Sequence, residues 1–237
     1  MPITTLAFDA DDTLWHNESI FALTQQRFAE LLADYADPAT LGARLLETER
    51  ANLGVFGYGV KGFTLSLIET AIAVTEGRVP ADTIRALIDL AKMMLTHPVE
   101  PLPDVAETLG QLKERYRLIV ITKGDLFDQE AKIARSGLGD LFDAVEIVSE
   151  KDEGVYRRIL ARHGDGAEKA VMIGNSLRSD ILPMLAAGGH AVHIPYHLTW
   201  AHEAADAPVG HPRFTQLARM AELPGWLRAV HGGVAAD

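Results

Sequence analysis

The chain has 237 residues, enough for one large domain or two small ones with real cores. Hydrophobic residues make up 48%, an ordinary share for a globular protein, and 33 acidic against 22 basic residues give a net charge of −11. That balance argues against a nucleic-acid or anionic-membrane surface, and the absence of cysteine excludes disulfides, thiolate zinc sites and cysteine nucleophiles.

The first residues lack the basic and apolar regions of a signal peptide, and no stretch approaches the ~18 apolar residues of a membrane span. A soluble cytoplasmic chain is the expectation. Residues 3–8 are short, apolar and β-prone, and predict a buried strand. Ile20, Leu23, Phe28, Leu31 and Leu32 place an apolar stripe on a helix over 18–35, and Leu41, Leu45 and Leu46 continue helically over 39–52. Residues 54–63 hold four glycines in ten and predict a loop. Helical patterns resume over 63–77 and 81–96 and end at His97-Pro98.

From 103 the pattern changes. Residues 103–116 predict a helix opened by Pro103 or Asp104, and 117–122 a continuous apolar strand of the parallel type. A helix over 125–137 ends at Gly137; a strand follows at 142–149, then a helix over 152–164 that ends at Gly164. Residues 169–176 predict a buried strand, 178–189 a helix with Pro183 near its first turns, and 190–196 a last strand. Residues 213–229 predict a helix, and 231–237 a loose tail. This alternation implies an α/β fold: a doubly wound, parallel, Rossmann-like sheet. The core is expected in two segments, 1–16 and 98–237, interrupted by an all-helical insert, 17–97.

In an open α/β sheet, ligands sit at the carboxyl ends of the strands. The residues just past each apolar run are Asp9, Asp11, Asp12 and Thr13; Thr122, Lys123 and Asp125; Ser149, Glu150 and Lys151; and Asn175, Ser176 and Asp180. Hard oxygen ligands in such number suit Mg²⁺, and lysines beside them suit a phosphate. Asp9 directly follows its strand, where a carboxylate can attack phosphorus. Asp11, two positions on, points the same way along an extended backbone and can carry the proton.

Asp9-Ala10-Asp11-Asp12-Thr13-Leu14, Thr122 after an apolar strand, Lys151 before a helix, and Gly174-Asn175-Ser176 with Asp180 resemble the four motifs of the haloacid dehalogenase superfamily, in order and spacing over the whole chain. The resemblance implies that Asp9 is the nucleophile and Asp11 the general acid/base. It implies that Thr122 binds the transferring phosphoryl group and that Lys151 balances charge. The implied Mg²⁺ ligands are Asp9, the Asp11 carbonyl, Asn175 and Asp180. Residues 17–97 would be the family's cap, which closes over the site and carries substrate selectivity.

Asn175 departs from the pattern, because phosphatases of the superfamily more often have Asp there; an amide ligates Mg²⁺ with one charge fewer. Dehalogenases also carry Asn nearby, but they use no metal and lack the carboxylate at the Asp11 position. The expectation is therefore a Mg²⁺-dependent phosphatase acting on a small phosphorylated metabolite, without nucleic-acid or membrane partners, as monomer or homodimer. A metal-free 2-haloacid dehalogenase and a non-catalytic binding protein are the alternatives.

Other residues have plainer readings. Asp12 caps a turn, Asp125 is either a helix N-cap or a pocket residue, and Arg178 is solvated. His190, His193, His197 and His202 are too loosely spaced for a zinc site. Lys123, Tyr58 and Lys61 are the substrate-binding candidates, the last two from the glycine-rich stretch.

Overall fold

The computed structural model describes residues 2–198, 200 and 202–230. Six strands form one parallel sheet: β1 (Thr5–Phe8), β2 (Arg117–Lys123), β3 (Ala144–Val148), β4 (Ala170–Gly174), β5 (His190–His193) and β6 (Phe214–Gln216), in the order β3-β2-β1-β4-β5-β6. The helices are α1 (Glu18–Leu31), α2 (Pro38–Phe56), α3 (Val60–Val74), α4 (Ala81–Thr96), α5 (Val105–Lys113), α6 (Leu126–Ser136), α7 (Glu153–His163), α8 (Leu182–Ala186) and α9 (Leu223–Val230), with short 3₁₀ and π turns between.

The period-two alternation of strands builds two cores, one on each face of the sheet. Leu6 and Phe8 join Leu118, Val120, Val171, Ile173 and Val192 on one face. Ala7 joins Ile119, Ile121, Ala170, Met172 and Ala191 on the other. β1 lies in the middle, with Phe8 level with Val120 on one side and Ile173 on the other. The chain segments that leave β1, β2 and β4 therefore emerge side by side at the carboxyl edge.

The chain divides into two compact units. One runs up to Glu18, takes Val99–Lys123 and continues from Ala131; the other comprises Ser19–Pro98 and Gly124–Glu130. The second unit is helical and has its own core of Phe28, Leu32, Leu41, Leu45, Phe63, Leu67 and Leu87. Burial of each such side chain stabilises by roughly 1.5–3 kcal/mol. Asp37 starts α2 by accepting hydrogen bonds from the Ala39 and Thr40 N–H groups, with Pro38 at the first helical position. Grouping of 124–130 with the helices is not visible in the sequence.

Four local expectations are corrected. The loop predicted over 54–63 shrinks to Gly57–Gly59, because α2 runs on to Phe56 and α3 begins at Val60. Gly57 (φ 73°) and Gly59 (φ 105°) make the break, whereas Gly62 is helical and lets α3 approach the Gly57 carbonyl, which a Cβ would meet at 2.7 Å. The strand at 190–196 is shorter and is not the last. Residues 214–216 form β6 against β5, and only Leu223–Val230 of the helix predicted over 213–229 is α-helical. The helix predicted from 178 opens as a single π turn, Leu177–Ile181, before α8. The tail 231–237 lies outside the described residues. Among the described residues, no helix is long and apolar enough to cross a membrane.

Candidate active site

The turn after β1 is tightly specified. Leu14 N–H bonds to the Ala10 carbonyl (2.8 Å), Asp12 N–H bonds to the Trp15 carbonyl (2.8 Å), and Asp12 takes a left-handed φ of 60°. The Asp12 carboxylate accepts from Asn17 N–H (2.8 Å) and Glu18 N–H (3.1 Å), so it caps the start of α1. Its burial, greater in effect than those bonds, pushes its pKa up to about 7.

Asp9 is anchored by its N–H bond to the Ile173 carbonyl (2.9 Å), and its carboxylate is buried. Lys151 Nζ donates to Asp9 Oδ1 (2.5 Å) and to Asp180 Oδ1 (2.7 Å). The lysine side chain is 1% exposed and Asp180 is fully inaccessible. Asp152 fixes the chain just past Lys151 by capping α7 through Val155 N–H (2.7 Å). Burial raises the Asp9 pKa well above the usual carboxylate range; the Asp180 charge adds to it, and Lys151 only partly offsets it. For Lys151, burial alone would lower the pKa, but Asp180 and Asp9 outweigh it and hold the ammonium above its ordinary value.

Asp180 owes its position to the π turn, in which Ile181 N–H reaches back to the Ser176 carbonyl (3.2 Å). Asp180 Oδ2 accepts from Ser176 N–H (3.0 Å). The carboxylate lies so close to Gly174 that a Cβ there would sit 2.2 Å from Asp180 Oδ2. Asp180 thus turns one oxygen to Lys151 and the other to the Ser176 N–H.

The Asp11 carboxylate accepts from Lys132 Nζ (2.7 and 2.8 Å) and from Trp15 Nε1–H (2.8 Å). Its carbonyl faces the Asn175 amide. Turned inward, the Asn175 NH₂ donates to Thr13 Oγ1 (3.1 Å), the Asp11 carbonyl (3.2 Å) and Asp9 Oδ2 (3.2 Å). With the amide oxygen inward, Thr13 Oγ1–H donates to it (3.1 Å), and it faces the Asp9 and Asp11 oxygens with no proton between. Thr122 is buried at the end of β2. Lys123 Nζ is engaged by Glu203 Oε1 (2.5 Å) and donates to Ser179 Oγ (2.7 Å).

Tyr58 and Lys61 belong to the helical unit, where Lys61 Nζ pairs with Asp125 Oδ1 (2.9 Å) and stands over the Phe127 ring. Asp125 also accepts from Asp128 N–H (3.0 Å), the N-cap bond of α6. His190 and His193 are on β5, and His193 Nε2 is 3.0 Å from the Asn175 carbonyl. Among the described residues, no three His, Cys, Asp or Glu side chains form a metal-holding cluster.

A cluster of this kind has relatives. The family model of haloacid dehalogenase-like hydrolases matches residues 3–188. The chain belongs to that family and is a hydrolase. A crystal structure of a haloacid dehalogenase-like family hydrolase from Xanthomonas campestris is 42% identical, with a TM-score of 0.86 over 96% of this chain and 91% of that one. The glyceraldehyde 3-phosphate phosphatase of Methanothermobacter thermautotrophicus is 26% identical over 82% of this chain and 86% of its own length. A 2-haloacid dehalogenase from Pseudomonas syringae is similar in fold, with 23% identity, a TM-score of 0.64 and coverage of 96% of this chain and 99% of that one.

Sequence reasoning about this hydrolase did not find Lys132 or a role for Glu203, gave Thr13 no role, and read Trp15 only as a hinge or entrance residue where the chain leaves the core. Lys132 lies on α6, remote in sequence from Asp11, and nothing local marks it. Glu203 closes the stretch 195–203, which the sequence places at the fringe of the same edge with aromatics that read as packing.

A divalent metal can be tested against these residues. Mg²⁺ binds oxygens at 2.0–2.1 Å in an octahedron whose neighbouring ligands are about 3 Å apart. The Asn175 amide position lies 3.2 Å from Asp9 Oδ2 and 3.2 Å from the Asp11 carbonyl. With the amide oxygen inward, it stands at that spacing from both other hard oxygens, and the residues fit.

Proposed function

We propose that this hydrolase is a Mg²⁺-dependent phosphatase of small phosphomonoesters. The observation that carries the reading is the buried set Asp9–Lys151–Asp180, with Asp11 two positions past Asp9. Asp9, Asp11, Thr122 and Lys151 are its catalytic residues. Asp9, the Asp11 carbonyl and Asn175 would hold the metal, with Asp180 positioning Lys151. When bound, the metal supplies positive charge beside the Asp9 and phosphoryl oxygens.

An Asp9 oxygen forms the bond to phosphorus as the ester P–O bond breaks, and Asp11 gives its proton to the leaving alcohol. Water then attacks the aspartyl-phosphate, Asp11 takes its proton, and phosphate leaves with Asp9 restored. Lys151 sits where it stabilises the charge gathered on the phosphoryl oxygens, an electrostatic contribution that phosphoryl transfer chiefly needs. Lys132 and Trp15 hold the Asp11 side chain, so proton transfer requires it to leave them or to pass the proton through water.

The relative from Methanothermobacter makes a triose phosphate the first substrate to try. Phosphate release should be measured across a phosphomonoester panel, with and without Mg²⁺, for the parent and Asp9→Asn. Release that needs both supports the proposal; no release from the folded protein with metal present sinks it. One observation favours a second reading: with its NH₂ inward, Asn175 satisfies the oxygen cluster without a cation. That arrangement suits metal-free chemistry, and halide release from 2-chloropropionate without Mg²⁺ would establish it.

A further inference from the structure

Around the site residues runs a second ring, made of their chain neighbours. Lys123 follows Thr122, Glu150 precedes Lys151, Ser176 follows Asn175 and Ser179 precedes Asp180. Lys123, Ser176 and Ser179 gather at Glu203, which arrives on the segment between β5 and β6, and Glu150 joins them through Lys123. Glu203 Oε1 accepts from Lys123 Nζ (2.5 Å), and Oε2 accepts from the hydroxyls of Ser179 (2.5 Å) and Ser176. Lys123 Nζ also donates to Ser179 Oγ (2.7 Å) and lies 3.5 Å from Glu150 Oε1. Ser176 Oγ in turn accepts from Ser179 N–H (3.0 Å).

The Glu203 side chain is 13% exposed. Burial alone would raise its pKa; the Lys123 charge, then the bonds from Lys123 and the two serines, overcome this and hold it down at about 2. A loop carboxylate needs none of this merely to stay in place, since Arg178 Nη1 already ties the same segment through the His202 carbonyl (2.7 Å). Only an ionised carboxylate accepts from all three donors. A carboxamide presents N–H donors at one end, and Ser176 Oγ already accepts a backbone N–H there.

We propose that Glu203 is a positioning residue. It locks the Gly174–Asp180 turn to the end of β2, and so fixes where Asn175, Asp180 and Thr122 stand. It also neutralises Lys123, which leaves Lys151 as the ammonium directed at Asp9. The turnover arm of the test rests on the phosphatase reading; the exchange arm does not.

The experiment compares the parent, Glu203→Gln, Glu203→Asp and Arg178→Ala, the last removing the other tie of the segment. Amide hydrogen exchange is followed at 122–124 and 174–181, and phosphate release is followed with Mg²⁺ on the best ester found. In Glu203→Gln, exchange in both segments should quicken by about tenfold or more. Its kcat should fall by about 10–100-fold, with KM within about threefold and melting near the parent's. Glu203→Asp should recover part of both losses, and Arg178→Ala should move neither by more than about threefold.

Unchanged exchange in Glu203→Gln overturns the proposal, and so does an Arg178→Ala variant that reproduces its losses. A parent that releases no phosphate defeats the phosphatase reading, while exchange still decides the role of Glu203.

Discussion

The two units bury polarity differently. In the helical unit, several buried hydroxyls close on their own helix: Thr24 donates to the Ile20 carbonyl, Ser66 to Gly62 and Thr75 to Ala71, while Thr70 of α3 reaches the Thr48 hydroxyl of α2. Its ion pairs are largely open to solvent, such as Arg27–Glu30 and Arg44–Glu47. The α/β unit instead buries charges drawn from distant parts of the chain: Asp9, Lys151 and Asp180 meet with almost no exposure. Removing a charge from water costs several kcal/mol unless matched. Such clusters persist where a reaction uses them, so the contrast itself separates a scaffold from a site.

Lys151→Met attacks that contrast hardest. It leaves Asp9 and Asp180 facing each other without a cation, and should cost about 3–5 kcal/mol in denaturant unfolding and abolish phosphate release. A stable, active variant would show that the buried charges are not a matched set. Gly174→Ala follows, because its Cβ meets the Asp180 carboxylate; a loss of about 1–3 kcal/mol and most activity is expected from melting and turnover.

Asp9→Asn should abolish turnover yet stabilise the fold. In the parent, the unfolded chain releases the Asp9 proton in the ordinary carboxylate range while the folded state keeps it to higher pH. Parent stability therefore falls as pH rises through that interval and is level above it. The variant's advantage should be small near pH 4, grow as pH rises and then stop growing, read from melts between pH 4 and 9.

Asn175→Asp should tighten Mg²⁺ binding by about tenfold in calorimetry, since it adds a charged ligand and removes the donor that closes the cluster without metal. In the metal-free protein the same change should lower the melting temperature. Arg44→Ala, in an exposed pair of the helical unit, should shift melting by no more than about 1 °C and leave turnover unchanged.

The order of strands and helices was legible because apolar runs and breakers punctuate the chain. The place of Asp9 was legible because a strand must end where its apolar run does. What escaped was everything decided by tertiary contact. β6 is three residues long and forms only because β5 offers it an edge. The glycines at 54 and 62 suggested a loop, but they lie within helices, one of them for close packing. The Asp11–Lys132 bond and the gathering at Glu203 join segments far apart in sequence, and no local period announces such pairs. Asp180 sits where its motif suggests, but the π turn directs both its oxygens to Lys151 and Ser176, an orientation that spacing alone does not show.

The central place of β1 has a consequence for how the protein is made. This strand leaves the ribosome well before either of its neighbours, which begin at Arg117 and Ala170. The emerging chain can assemble the helical core early, from local contacts, but β1 must wait with its apolar residues exposed until β2 and β4 have both been made. A chain that stops before Lys151 also leaves Asp9 without its counter-charge. Synthesis arrested between the helical unit and β4 should therefore yield a folded helical segment attached to a sticky, inert strand, so that such a partial product does not carry out the reaction.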